Sequence, residues 1–266
     1  MTDTFPGRAY LSCCDARTGS SLLAATLRAT GRAGKPWEYF LRAEIDKAWM
    51  REELHVPDGA PFTSFADWRG YILNAGSERG GVFAASVHFW QLGDCVETFR
   101  RPDADPQLPA LEVLRGYFPD LRLVWLRRNN VVAQAISHYV AIATNIWTSR
   151  QGGARQSDSD RGAPYDFDKI DWQVSSAIAA TEGWRATLKG AEAITLPLAY
   201  EELAADLPGA VARVFAHVGI ALGPEPIRAP GLEKQAGAWS KELEQRYREE
   251  RAARGMGPVG DEAAAR

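Results

Sequence analysis

The chain opens with a mostly apolar run, AYLSCC over residues 9–14, which breaks at Asp15 into a polar turn; a helical spacing of apolar positions restarts at Leu22. That run predicts a strand, and SSLLAATLRATG predicts a helix closing near Gly31. The same alternation recurs along the chain. A helical stretch, SFADWRGYILNAG (64–76), precedes a second strand, GVFAAS (81–86). LRLVWLR (121–127) reads as a third strand with a long helix, VVAQAISHYVAIATNIW (131–147), behind it. AITLPLAY (193–200) reads as a fourth, followed by one helix, EELAADLPGAVARVFAHVG (201–219). Short apolar strands alternating with helices predict an α/β fold, a central parallel sheet covered on both faces. The first and third strands run straight into helices. This is the doubly wound pattern, whose ligands sit beyond the carboxyl ends of the strands.

Two stretches depart from the alternation. Residues 150–166, RQGGARQSDSDRGAPYD, are rich in Gly, Ser and charge and predict a mobile loop. Residues 255–266 read as a flexible tail. Before that tail, KELEQRYREER sets Glu242 against Arg246 and Glu244 against Arg248 at i,i+4, which reads as a solvated helix face. No linker divides the chain, so residues 1–266 are expected to form one domain.

Composition narrows the function classes. A net charge of -3 gives no bulk attraction to nucleic acid, though it allows a local basic pocket. Three cysteines, two of them adjacent, make no disulfide framework, and a reducing cytoplasm is the expectation. No apolar run is long enough for a transmembrane segment, and the first twenty residues lack a signal-type apolar core.

The first turn carries chemistry. Arg17, Thr18, Gly19, Ser20 and Ser21 stand between a buried strand and a helix N-terminus, where unpaired N–H groups and a partial positive charge accept anions. Gly19 admits close backbone approach, the hydroxyls add donors, and Arg17 adds a forked permanent cation. Ordinary capping by Ser20 or Ser21 explains one serine but neither Arg17 nor Gly19. The nucleotide P-loop pattern fails at two defining positions. Cys14 stands five residues before Gly19, and Ser20 holds the lysine position. A phosphatase Cys-x5-Arg pattern fails as well, because Cys13 and Cys14 lie four and three residues before Arg17. Both cysteines read as small buried hydrophobes. Such a turn suits a donor held without nucleotide-bound magnesium. At the end of the third strand, Arg128 and, nine residues on, Ser137 form a second anion corner, so the ligand is expected to carry two separate anionic groups.

These residues resemble a known family. Ala16-Arg17-Thr18-Gly19-Ser20-Ser21-Leu22-Leu23 is similar to the Q-R-S-G-S-T-L-L turn of PAPS-dependent sulfotransferases, above all the bacterial trehalose sulfotransferase-like family. Arg128 to Ser137 (RNNVVAQAIS) is similar to its R-P-D-V-V-x-Q-A-x-S. Gly34 to Phe40 (GKPWEYF) resembles its G-x-P-x-E-[FY]-F, and Leu232 to Ala236 (LEKQA) a late family segment. The matches fall in order between residue 9 and about residue 250.

The resemblance implies a P-loop-like sulfotransferase fold and a set of roles. Arg17, Thr18, Gly19, Ser20, Ser21 and Leu22 would grip the 5′-phosphosulfate of PAPS (3′-phosphoadenosine 5′-phosphosulfate). Arg128 and Ser137 would bind its 3′-phosphate, and Tyr200 would lie near the adenine. PAP is the expected product, and no metal is implied; the four histidines and three cysteines show no ligand spacing. Glu38 matches the general base, and its neighbours Pro36, Trp37, Tyr39 and Phe40 are expected to raise its pKa. One position departs from the family pattern. Ser86 stands where the family keeps a lysine, and Lys35 or Arg127 are candidates to replace that charge. His88, two residues on, resembles the catalytic histidine of cytosolic sulfotransferases and rivals Glu38 as base. Nine tryptophans, among them Trp37, Trp90, Trp125 and Trp147, suit a carbohydrate, glycolipid or natural-product hydroxyl as acceptor. A metal-dependent kinase and a non-catalytic PAP-binding homologue stay open as alternatives, and a homodimer is compatible with the resemblance.

Overall fold

The computed structural model describes residue 5 and residues 7–40, 65–78, 81–147, 163–227 and 237–259. Leu232 to Ala236, most of the expected mobile loop (150–162) and most of the expected tail (260–266) lie outside the described residues.

The chain runs through β1 (Arg8–Cys14), α1 (Ser20–Ala29), α2 (Phe65–Gly76), β2 (Val82–His88), α3 (Leu92–Phe99), α4 (Ala110–Tyr117), β3 (Leu121–Arg127), α5 (Val131–Thr144), α6 (Phe167–Leu188), β4 (Thr195–Ala199), α7 (Tyr200–Ala205), α8 (Leu207–Val218) and α9 (Ala238–Ala253). The four strands form one sheet in the order β2-β1-β3-β4, and every pairing is parallel. The expected α/β architecture is therefore present. β1 is buried from Ala9 to Cys14, as its unalternated apolar run requires of a strand covered on both faces. One face packs against α2–α4 through Phe83, Phe99 and Phe118, and the other against α1 and α8 through Leu23, Leu27, Val211 and Phe215. A third cluster, with Val132, Ile136, Phe167, Ile170, Leu243 and Tyr247, binds α5, α6 and α9 together.

Strand order decides where a ligand crevice lies. The chain leaves β1 for β2 on one side and then returns to β3 on the other. The topological switch point therefore falls between the ends of β1 and β3, directly before Asp15 and Arg128.

Several elements differ from the sequence expectation. β2 runs two residues further than expected and ends at His88. It is a terminal strand of the sheet, yet wholly buried, because the segment before Phe40 lies alongside it. The Ser86 N–H donates to the Trp37 carbonyl at 2.8 Å. Covering an edge in this way blocks unwanted strand pairing. The single helix expected over 201–219 is two, α7 and α8. They break at Asp206, whose carboxylate caps the Gly209 N–H, with Pro208 in the first turn. The helix expected over 131–147 stops at Thr144, with Asn145 left-handed at φ 55°. The charged face read over 241–251 is present, with Glu242 and Arg246 exposed and Arg248 paired with Glu244 at 2.9 Å, but the helix also docks: Leu243 and Tyr247, at i,i+4, are fully buried. The described start of the expected tail is packed too, since Met256 and Val259 contact the third cluster. Likewise Tyr139 donates to the Pro164 carbonyl at the described end of the expected mobile loop.

Candidate functional site

The turn after β1 is built from two left-handed residues, Arg17 at φ 65° and Gly19 at φ 90°. A side chain at position 19 would meet Tyr200 Cδ2 at 2.7 Å, so close packing as well as backbone conformation requires glycine. Three successive carbonyls of this turn are tied into the protein. Thr18 Oγ1 donates to the Asp15 carbonyl at 2.8 Å, Gln134 Nε2 to that of Ala16 at 3.0 Å, and Arg128 Nη1 to that of Arg17 at 3.3 Å. Trp184 Nε1 holds the Cys14 carbonyl at 2.8 Å. The Thr18 hydroxyl hydrogen is thus spent on the turn itself. Gln134 and Trp184 are positioning residues that sequence reasoning missed. Gln134 stood inside the quoted R-N-N-V-V-A-Q-A-I-S segment, whereas nothing local marks Trp184, on α6.

The two neighbouring helix starts differ. α5 is closed by protein: Asn130 Oδ1 accepts from the Ala133 N–H, and Glu201 takes the N–H groups of Asn129 and Asn130 at 3.1 and 3.2 Å. α1 has Gly19 as its N-cap and no side chain capping it; Ser20 is buried and Ser21 exposed. Neither serine plays the capping role. The start of α1 is therefore the one suited to an anion.

Two arginines belong to this turn, Arg17 within it and Arg128 through its bond to the Arg17 carbonyl. Arg17 donates from Nε to Ser137 Oγ at 2.8 Å and from Nη1 to the Trp147 carbonyl at 2.7 Å. Arg128 stacks over the Tyr200 ring at 4.6 Å, and its Nε is buried without a hydrogen-bond partner. Burial lowers the Arg128 pKa, with Tyr200, Glu201 and Glu244 partly offsetting it. Arg17, Gly19, Arg128, Ser137 and Tyr200 are thus one connected set, with Arg17 joining Ser137 to the first turn. Leu22 packs against the α1-side core. A cavity of about 280 Å³ opens beside Arg128, walled by Val131, Ile178, Thr181 and Val259 among others.

The second centre lies at the end of β2. The segment that covers this strand carries Glu38 to His88, and Glu38 Oε1 lies 3.3 Å from His88 Nε2. The contact is within ion-pair reach, although the ring nitrogen makes no aligned hydrogen bond. Burial alone would push the Glu38 carboxyl up, but attraction to His88 overrides it and the pKa is lowered. This reverses the expected rise: the apolar neighbours are present, but the His88 ring faces the carboxylate. Burial pulls His88 down, while Glu38 and Cys14 push it up more strongly, so it ends well above the usual histidine range. The two shifts run in opposite directions, as attraction between a carboxylate and a facing imidazole requires. Asp15 lies near it, raised by burial and partly offset by His88. Glu38 and His88, read from sequence as rivals, form one pair.

The other candidates divide clearly. Ser86 is 2% exposed. Of the cations considered for its missing charge, Arg127 sits over the Trp125 ring at 5.6 Å, and Lys35 donates its backbone N–H to the Gly76 carbonyl. Trp37 lies beneath Arg28, whereas Trp90 is 65% exposed, with its ring 6.4 Å from that of His88. Cys13 and Cys14 are buried with their thiols pushed up, first by burial, as small hydrophobes should be. Among the described residues no group of three or more His, Cys, Asp or Glu is arranged to hold a metal ion. No described helix is long and apolar enough to cross a membrane.

Comparison with known proteins bears on this arrangement. Residues 9–250 match the Stf0 sulphotransferase family. The chain is 31% identical to the trehalose 2-sulfotransferase of Mycolicibacterium smegmatis, over 90% of this chain and 94% of that protein. It is 29% identical to the trehalose 2-sulfotransferase of Mycobacterium tuberculosis, over 91% and 95%. Among solved structures, a sulfotransferase from Alicyclobacillus acidocaldarius aligns at 15% identity with a TM-score of 0.47, covering 94% of this chain and 96% of that one. With the family matched across both anion corners and the Glu38–His88 pair, this chain belongs to the Stf0 sulfotransferases, enzymes that transfer sulfate from a sulfuryl donor.

Proposed function

We infer that this protein moves a sulfuryl group from PAPS to a hydroxyl of a sugar, with trehalose the first acceptor to test. The observation that carries the reading is an uncapped α1 start at the switch point, with the Arg17 guanidinium on Ser137 and the Arg128 guanidinium on the Arg17 backbone carbonyl. A donor with a phosphosulfate at one end and a phosphate at the other meets both. Arg17 and the amides of Arg17–Leu22 would hold the 5′ end. Arg128, with its unpartnered Nε, and Ser137 would hold the 3′-phosphate, with Tyr200 beside the adenosine.

The roles of the remaining residues follow from the chemistry. The acceptor oxygen bonds to sulfur as the bond from sulfur to the 5′-phosphate oxygen breaks. The electron pair leaves on that phosphate, where Arg17 and the turn amides offset the growing charge. Glu38 takes the hydroxyl proton, a contribution on the order of 10²–10⁴-fold. Being held as a carboxylate by His88, it is ready to accept that proton at neutral pH. The exposed face of Trp90, two residues from His88, suits the C–H face of a sugar ring. The curated relatives are named for trehalose, which makes it the first choice among carbohydrates. Buried free thiols at Cys13, Cys14 and Cys95 support a reducing, cytoplasmic setting.

Thermal shift with PAP, with ATP and magnesium, and with buffer tests the donor. PAP alone should stabilise the protein by about 2.7 kcal/mol at a hundredfold excess over Kd. Selective stabilisation by ATP with magnesium would replace this reading with a kinase. Transfer of labelled sulfate from PAPS to trehalose or another sugar tests the acceptor. Binding of PAP without transfer to any hydroxyl would make the protein a non-catalytic homologue.

A further inference from the structure

Three residues at the end of β2 carry buried polar atoms with no hydrogen-bond partner: Ser86 Oγ, His88 Nε2 and Gln91 Nε2. The residues are 2%, 7% and 0% exposed. A buried polar group left unpaired bears its full desolvation penalty, and native proteins keep few of them without a reason. The Glu38 carboxylate accounts for His88; packing gives no account of Ser86 and Gln91.

Their orientation is constrained. The Gln91 Oε1 accepts the His88 backbone N–H at 2.9 Å. This contact settles which end of the carboxamide is oxygen, so the orphaned end is the NH₂, which can only donate. Ser86 and His88 are two apart on one strand and so share a face of the sheet. Gln91 closes the 3₁₀ turn that follows, Phe89–Gln91. That turn is pinned by Phe89 against Trp184 at 5.7 Å and by the burial of Gln91, so the donors are rigidly held. His88 Nε2 lies 3.3 Å from the Glu38 carboxylate. The other titratable groups facing His88 are Cys14 and Asp15 from the end of β1 and His138 from α5.

A set of donors beside a base suits a group with several oxygens and no protons of its own. A sugar hydroxyl brings a proton that would compete with them; a sulfuryl group does not. We propose that Gln91, with Ser86, grips the oxygens of the sulfuryl group while Glu38, held by His88, takes the acceptor proton. The assignment rests on the sulfuryl-transfer reading above. It adds Gln91 and Ser86 as sulfuryl-binding residues, and it turns the short side chain at position 86 from a loss into part of the site.

Calorimetric titration with PAP and with PAPS separates the sulfuryl group from the rest of the donor and needs no acceptor. The proteins are wild type, Gln91→Glu and Ser86→Ala. Gln91→Glu keeps the oxygen that holds the His88 N–H but replaces the donor with an anion. Ser86→Ala removes only an unpaired hydroxyl, so a purely structural role predicts an unchanged or raised melting temperature and unchanged binding. The expected result is that all three bind PAP alike, while PAPS affinity falls about tenfold or more in Gln91→Glu and several-fold in Ser86→Ala. A PAPS-to-PAP affinity ratio equal to that of wild type in both variants would overturn the proposal. Wild type that binds neither compound would instead remove the donor reading on which it rests.

Discussion

Removing the charge of His88 is the most informative perturbation of the site. His88 Nε2 stands 3.3 Å from Glu38 Oε1. Two unit charges at that separation attract by about 5 kcal/mol at an effective dielectric of 20. The Glu38 side chain is 33% exposed, and solvent screening cuts this to about 2–3 kcal/mol. In His88→Gln the downward pull on Glu38 disappears while burial, which raises its pKa, stays. The acid limb of the pH–rate profile for sulfate transfer should therefore move to higher pH, with activity recovering at alkaline pH. Glu38→Gln should be inactive throughout.

The stability linkage has a definite sign. Glu38 is depressed, so its contribution is present above its ordinary value of 4.5 and is lost as pH falls through the folded value. His88 is raised, so its contribution is complete below its ordinary 6.5 and is lost as pH rises through the folded value. The melting temperature of wild type should therefore exceed that of His88→Gln most clearly between about pH 4.5 and 6.5. An acid limb that stays in place in His88→Gln, or moves down, refutes the electrostatic coupling. A variant dead at every pH, beside an active Glu38→Gln, would make His88 the base.

Two further outcomes follow from the first turn. Arg17→Ala removes both the guanidinium and its bonds to Ser137 and Trp147. Transfer should fall below detection in a labelled-sulfate assay, and near-normal turnover would contradict the role given to Arg17. Gly19→Ala places a Cβ 2.7 Å from Tyr200 in a left-handed backbone; it should cost about 1–3 kcal/mol, read by thermal melting, and weaken PAP binding.

The two candidate anion corners stood out in the sequence because each lies where an apolar strand ends and a helix begins. Arg17–Gly19 and Arg128 stand at such junctions, and strand ends in a doubly wound sheet are where ligands bind. The Glu38–His88 pair was half legible. Both residues were singled out, but as competitors, since fifty positions separate them and no local pattern says that the Gly34–Phe40 segment runs beside β2. The direction of the Glu38 shift was misread for the same reason. Apolar neighbours in the chain were visible; the facing imidazole was not. α6 went unread although Phe167, Ile170, Val174, Ala177, Trp184 and Leu188 recur at helical spacing and are buried.

Local chemistry is what the amino-acid order determines alone: which runs are strands, where helices start, and which turn offers Arg, Gly and hydroxyls to an anion. These depend on neighbours within a few positions. The tertiary structure decided which of two helix starts stays open. Glu201, from α7, closes α5 and leaves α1 uncapped. It also decided the pairing of Glu38 with His88 and the gathering of orphaned donors at the end of β2. Electrostatic and hydrogen-bond partners are set by distance through space, and the strand order β2-β1-β3-β4 is what brings these distant residues within reach of one another.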